Sequence, residues 1–277
     1  MTNRPDERVV TPRLLRDWAL PEPEGGKESR GTVLVVGGAR STPGAVLLAG
    51  LAALRAGAGR LQMAVATESA VPLSIAVPEA KVVGLDPSDE VLRLAAEADV
   101  IALGPGLDDI DSTIRLMGTV LGAAGPDAAV VLDAYALGAL SKEPGLLTSR
   151  RAVLTPNVVE AEHMLGRDPG DDLAAAAHEL AVRHHAVVSL YGHVAAPDGR
   201  AWREESGHAG LGTSGSGDVR AGIVAGLLGR GADPAQAACW AAFAHAVSGQ
   251  RLAPRYGRIG FLARELVDEV ASTIASV

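Results

Sequence analysis

Six short apolar runs constrain this chain more than any other feature: Thr32–Val36, Leu61–Ala66, Val100–Leu103, Ala129–Leu132, Ala152–Leu154 and Ala186–Leu190. Each stops at or near a glycine or a polar residue. Runs this short and this uniformly apolar read as strands buried on both faces, the habit of parallel sheets. Helical stretches separate most of them, among them Ala45–Ala56, Val158–Leu165 and Leu173–His184. The alternation predicts an α/β fold with a doubly wound, mostly parallel sheet flanked by helices on both faces. Val194–Ala196 and Ala201–Arg203, around Asp198-Gly199, predict a late antiparallel hairpin. Ligands of such sheets bind beyond the carboxyl ends of the strands. Gly37-Gly38, Gly104-Pro105-Gly106, Asp133, Asn157 and Tyr191-Gly192 gather there.

With 277 residues, 48% of them hydrophobic, the chain can bury one large core. We read residues 1–277 as a single domain with a lead-in segment over 1–30. Aromatic residues make up only 3%, so Ala, Val and Leu must fill the interior. A net charge of −8 argues against nucleic-acid or anionic-membrane binding. Met1–Arg8 is charged and lacks an apolar signal core, and no run reads as a membrane span. A cytoplasmic protein is expected. The single cysteine, Cys239, reads as packing within the helical run Ala235–Val247.

The chemistry concentrates in Gly212-Thr213-Ser214-Gly215-Ser216-Gly217-Asp218, which runs into the apolar helix Val219–Leu228. Glycines let backbone amides converge, and a helix N-terminus adds positive potential, which makes an anion site. A carboxylate at such a mouth repels phosphate unless it serves as an acid or base, so Asp218 is the candidate base. The plainer reading makes Asp218 a helix cap. Lysine occurs only at Lys27, Lys81 and Lys142, so the loop has no P-loop lysine.

These features, in this order, resemble the ribokinase-like superfamily. Closer still is the ADP/ATP-dependent NAD(P)H-hydrate dehydratase family, the carbohydrate-kinase-like group. The resemblance rests on Val10-Thr11-Pro12, Val35-Val36-Gly37-Gly38-Ala39-Arg40, Pro43-Gly44-Ala45, Ala53 to Gly59, Gly104-Pro105-Gly106-Leu107, Leu132-Asp133-Ala134, Leu154-Thr155-Pro156 and Gly215-Ser216-Gly217-Asp218. It implies repair of NADHX and NADPHX: a nucleotide phosphorylates the ring hydroxyl, and phosphate then leaves to regenerate NADH or NADPH. It implies ADP or ATP with Mg²⁺ as cofactors, Asp218 as the catalytic base, and the amides of Gly215, Ser216 and Gly217 as the phosphate cradle. Ala45, Gly106, Asp108, Asn157 and Asp218 are then expected at the substrate, and Tyr191, Gly192, His193 and Gly217 at the nucleotide. A homo-oligomer, such as a tetramer, and a separate epimerase are the expected partners.

Four stretches depart from the family pattern. Its Thr-Pro-His-Pro-Gly-Glu is Thr155-Pro156-Asn157-Val158-Val159-Glu160 here. Asn-x-x-Glu is the metal-positioning motif of superfamily kinases, with Glu160 holding Mg²⁺ through water; a helix cap by Asn157 is the equal alternative. Its lysine-bearing nucleotide loop is Leu190-Tyr191-Gly192-His193. Its Gly-Pro-Gly-Leu-Gly ends in Asp108. His208-Ala209-Gly210 stands for Asn-Pro-Gly, and Arg220 takes an apolar position. Arg220 reads as a surface arginine, with replacement of the lost positive charge as the alternative.

His184-His185 reads as polar residues at a helix end, and His245 as a core or interface histidine. The spacing from Gly37-Gly38 to Gly44 lacks the dinucleotide fingerprint, which excludes a hydride-transfer enzyme. Dehydratase is the leading expectation. A sugar or vitamin-alcohol kinase and an inactive nucleotide-binding paralogue are the alternatives.

Overall fold

Residues 6–85, 89–148 and 150–277 are described by a computed structural model of the chain. The reading of the extreme N-terminus falls partly on residues 1–5, outside this set. The strands are β1 (Glu7–Val9), β2 (Thr32–Val36), β3 (Arg60–Val65), β4 (Ala80–Gly84), β5 (Val100–Leu103), β6 (Ala129–Leu132), β7 (Ala152–Leu154), β8 (Val187–Leu190), β9 (His193–Ala195) and β10 (Ala201–Arg203). The helices of the first half are α1 (Pro12–Asp17), α2 (Pro43–Ala56), α3 (Thr67–Ala76), α4 (Asp89–Glu97), α5 (Ile110–Ala123) and α6 (Tyr135–Lys142). Those of the second half are α7 (Val158–Leu165), α8 (Leu173–His184), α9 (Ser216–Gly229), α10 (Pro234–Tyr256) and α11 (Ala263–Ile274).

The strands form one sheet in the order β1-β10-β9-β8-β7-β6-β5-β2-β3-β4. From β4 to β8 every pairing is parallel. β9 and β10 form the expected antiparallel hairpin beside β8. Side-chain alternation sorts the strand residues onto two cores. Val33 and Val35 of β2 face α2 and α9–α11, while Leu34 and Val36 face the α4–α8 side. Both faces are covered, which is why the central strands carry no polar alternation.

Two strands escape the sequence pattern. β1 and β4 lie at the two edges of the sheet and each has one wet side, so neither carries an unbroken apolar run. β1 pairs in parallel with β10, and Trp18 stacks on Trp202 with ring centroids 5.5 Å apart. Trp240 Nε1 donates to the Trp18 carbonyl at 3.0 Å. Residues 7–18 of the expected lead-in are therefore part of the sheet and its packing.

One helix contact positions the loop at the start of α9. A Cβ on Gly222 would lie 2.1 Å from the Ala49 carbonyl oxygen, and one on Gly226 would lie 2.3 Å from that of Ala53. Only glycine permits α9 to approach α2 so closely. Both pairings advance by one turn in the same direction, so the helices run side by side in parallel. One turn earlier, the same register sets Asp218 beside Ala45. Alanine and glycine on these faces thus fix where the candidate base lies.

We expect Gly222→Ala to lower stability by about 1–3 kcal/mol, because the added methyl overpacks a backbone contact. Gly122→Ala on exposed α5, where a Cβ meets nothing within 4 Å, is expected to raise stability by about 0.4–1 kcal/mol. Urea unfolding of both variants against the parent checks the contrast.

Candidate active site

The loop closes on Gly215, which adopts a left-handed backbone (φ 86°) as the residue preceding α9. A Cβ there would lie 2.5 Å from Leu48 Cδ1 and 3.8 Å from Asp218 Oδ2. Among the described residues, the amides of Gly215, Gly217 and Asp218 meet no protein acceptor. They are the unsatisfied donors of a helix start, free for an anion. The Ser216 amide differs from expectation: it donates to the Thr213 carbonyl at 3.1 Å and is spent. The turn that brings the chain into α9 uses it, and the free Asp218 amide takes its place in the cradle.

The Ser216 hydroxyl shares a hydrogen bond of 2.7 Å with His245 Nε2. His245 is buried in α10, as the core reading expects, but it also lines a cleft. Burial first, then the Arg220 cation, push its pKa down to about 3. It is therefore a neutral imidazole holding the loop from beneath. The contact joins residues 29 positions apart, so no local motif announces it.

Three carboxyl groups approach the same helix start. Asp133 follows β6, is buried, and accepts a hydrogen bond from Thr155 Oγ1 at 2.8 Å. Its Oδ2 lies 3.9 Å from the Cβ position at Gly217. Glu160 sits in the first turn of α7. Asp218 is half-buried, and its pKa is raised to about 7 by burial first and then by Asp133 and Glu160. Burial also pushes up Asp133 and Glu160.

Arg220 is the cation of this group. Its Nη2 donates to the carbonyls of Thr155 at 2.6 Å and Pro156 at 3.2 Å. The surface-arginine reading is corrected: four positions after Ser216 on α9, Arg220 points inward to the ends of β6 and β7. Asp218, about half a turn round the helix from Arg220, faces α2 instead.

One cavity adjoins this helix start, and a second lies beyond Asn157. The first, about 600 Å³, is lined by Tyr191, Gly192, Ser216, Gly217, Arg220 and His245, with Glu204 and His208 at its far side. The second, about 560 Å³, is lined by Tyr135, Lys142, Glu160 and His163. Asn157 lines both. Asp218 lines neither; the register of α9 on α2 turns it toward Ala45. A Cβ on Gly106 would come within 2.8 Å of Ala45 Cβ, so these two expected substrate contacts do meet.

Other expected site residues fall elsewhere. Asp108 is exposed ahead of α5 and lines neither cavity. There it runs into the cap that Asp109 forms on Ser112 N, at 2.8 Å. His193 leaves the nucleotide loop: the tight turn at Tyr191-Gly192 sends it into β9, where Nδ1 meets Glu7 Oε1 at 2.6 Å. Asn157 and Glu160 form a capping box, with Oδ1 accepting from Glu160 N at 2.9 Å and Glu160 Oε2 accepting from Asn157 N at 2.8 Å. The cap occupies one Glu160 oxygen and leaves the other free.

The fold is ribokinase-like, with a glycine-rich loop and a carboxyl of raised pKa at the start of α9. Ribokinase from Cryptococcus neoformans shares the architecture at TM-score 0.61, with 14% identity over 89% of this chain and 100% of that one, a likeness of fold alone. A sequence model of the family described as NAD(P)H-hydrate dehydratase matches residues 33–272, and the chain belongs to that family. It is 42% identical to an ADP-dependent (S)-NAD(P)H-hydrate dehydratase of Xanthomonas campestris pv. campestris, over 96% of each chain. A Bacillus subtilis enzyme of the family, co-crystallised with ATP/Mg²⁺, superposes at TM-score 0.83 with 29% identity over 98% of this chain and 99% of its own. The bifunctional repair enzyme of Moorella thermoacetica is 36% identical over 95% of this chain, which spans 53% of that enzyme.

Asp218 binds its proton more tightly when folded than when unfolded, because its pKa rises from 3.8 to about 7. The associated stability is complete at acid pH and fades as pH climbs through about 7. Asp218→Asn is therefore expected to raise the melting temperature above neutral pH and to change it little at pH about 4. Thermal unfolding of both proteins at the two pH values checks the sign.

Proposed function

We propose that the chain repairs NADHX and NADPHX through transfer of a phosphoryl group from ADP or ATP. The observation that carries this reading is the Asp218 carboxyl, poised near neutral pKa beside the open amides of Gly215, Gly217 and Asp218 itself. The nucleotide occupies the 600 Å³ cleft, with Tyr191 and Gly192 at its mouth and Gly217 at its phosphates. The hydrated nicotinamide ring enters from the α2 side, against Ala45 and Gly106, while Asn157 lines the nucleotide cleft. The start of α9 thus separates donor from acceptor.

Asp218 takes the proton of the ring hydroxyl as that oxygen attacks the terminal phosphorus. The P–O bond to the departing nucleotide breaks, and the amides stabilise charge on the transferring oxygens. Hydroxide is a poor leaving group, and phosphate is a good one. It departs with the C–O electron pair, the adjacent ring carbon gives up a proton, and the ring double bond returns. The sum is NADHX plus ADP giving NADH, AMP and phosphate. Phosphate carries away the oxygen that water would have taken.

Mg²⁺ fits the carboxylates beside the cradle. Glu160 keeps one oxygen outside its helix cap, and Asp133 Oδ2 faces Gly217. Among the described residues, no three side chains of the ligating types cluster as a direct site. That donor set suits a cation held through water and nucleotide phosphates. Mg²⁺ supplies charge neutralisation of the phosphate chain when bound.

We further propose that residues 1–277 act as one domain, that the protein assembles as a homo-oligomer in the cytoplasm, and that an epimerase shares its substrate. Among the described residues no helix is long and apolar enough to cross a membrane.

Asp218→Asn is expected to lower kcat by about 10²–10⁴-fold, the usual worth of a positioned base, while ADP affinity stays near that of the parent. The parent's activity should rise with pH along a limb centred at about 7. Recovery of NADH absorbance from NADHX and ADP measures both. A flat pH profile, or an Asp218→Asn enzyme of full rate, removes Asp218 from the base role.

A further inference from the structure

Phosphate chains demand positive charge, and the nucleotide cleft offers little. Arg220 is the sole arginine or lysine among the described residues lining it, whereas Glu204 and Glu205 both line its wall. The three guanidinium nitrogens have different fates. Nη2 is anchored on the Thr155 and Pro156 carbonyls, and Nε is enclosed without a partner. Nη1 makes no hydrogen bond and is not enclosed. The group is thus held by one edge and presents the other.

Its position on α9 aims that free edge. Arg220 follows Ser216 by four residues, so the two share a helix face, and both line the cleft with Gly217. The open Gly217 amide and the free Nη1 therefore address one volume. Burial lowers the Arg220 pKa, and the neighbouring carboxyls of Asp133 and Glu160 oppose that shift. Those same carboxylates would repel a phosphate chain that met no cation first.

We propose that Arg220 is the residue that binds the nucleotide's phosphate chain and makes the enzyme distinguish nucleoside di- and triphosphates from the monophosphate it releases. The inference rests on the placing of the nucleotide in this cleft. Arg220 grips the phosphates that the monophosphate lacks, and its loss favours neither adenine nor ribose. Because the product has fewer phosphates than the donor, the same contact that holds ADP lets AMP go.

Isothermal titration of the parent, Arg220→Lys and Arg220→Gln with ADP and with AMP tests this, with circular dichroism to establish folding. The parent should bind ADP more tightly than AMP. Arg220→Gln should lose about tenfold or more in ADP affinity, the worth of a charge-assisted hydrogen bond, with AMP changed less than about threefold. Arg220→Lys should keep part of the preference, since it restores charge without the fork. A purely structural role, through the Thr155 and Pro156 carbonyls, would weaken ADP and AMP alike and would overturn the proposal. So would an unchanged ADP-to-AMP ratio in Arg220→Gln. A parent that binds neither nucleotide would overturn the placing of the nucleotide itself, a separate failure from that of Arg220.

Discussion

The backbone contact between α9 and α2 governs the site. Gly222 lies on the Ala49 carbonyl and Gly226 on that of Ala53, at separations that no side chain tolerates. Two parallel helices locked in this register carry their N-terminal ends to the same edge of the sheet. The register then carries Asp218 toward Ala45 one turn beyond the contact, and the loop at Gly215 is held against Leu48. The alanines and glycines on the facing sides of α2 and α9 follow from the same requirement. A larger residue at these positions would push α9 away from α2.

Electrostatics then divides the helix start into two faces. Asp133, Glu160 and Asp218 are close enough to repel one another, and burial adds to the cost of charging each. Arg220 offsets part of that cost for Asp133 and Glu160, whose carboxyls it lowers. It has no such effect on Asp218, which faces the other way and retains a pKa near neutrality. One residue is left with a pKa near neutrality, and another holds the positive charge. The half-turn between them on α9 keeps the two from cancelling.

The central sheet was legible because strands buried on both faces leave an unmistakable apolar run; β2, β5, β6 and β7 have the bounds read from the sequence. The edge strands β1 and β4 were not, since one-sided burial mixes Glu7, Arg8 and Lys81 into them. The loop and Asp218 were readable from local chemistry. His245 was not, because its bond to Ser216 spans 29 residues and depends on how α10 packs. The inward turn of Arg220 did leave a signal, its four-residue spacing from Ser216. So did the matched spacing of Ala45, Ala49 and Ala53 against Asp218, Gly222 and Gly226. Asp108 and His193 lie outside both cavities, because family position says where the chain passes, not which way a side chain turns.

The hydrogen bond between Ser216 and His245 has a further consequence. An imidazole with a pKa of about 3 takes up no proton anywhere near neutrality. The footing of the loop is accordingly indifferent to acidity over the range in which its neighbouring carboxyl gains and loses charge. Swings in cellular proton concentration therefore alter the reactive group and leave the frame around it standing still.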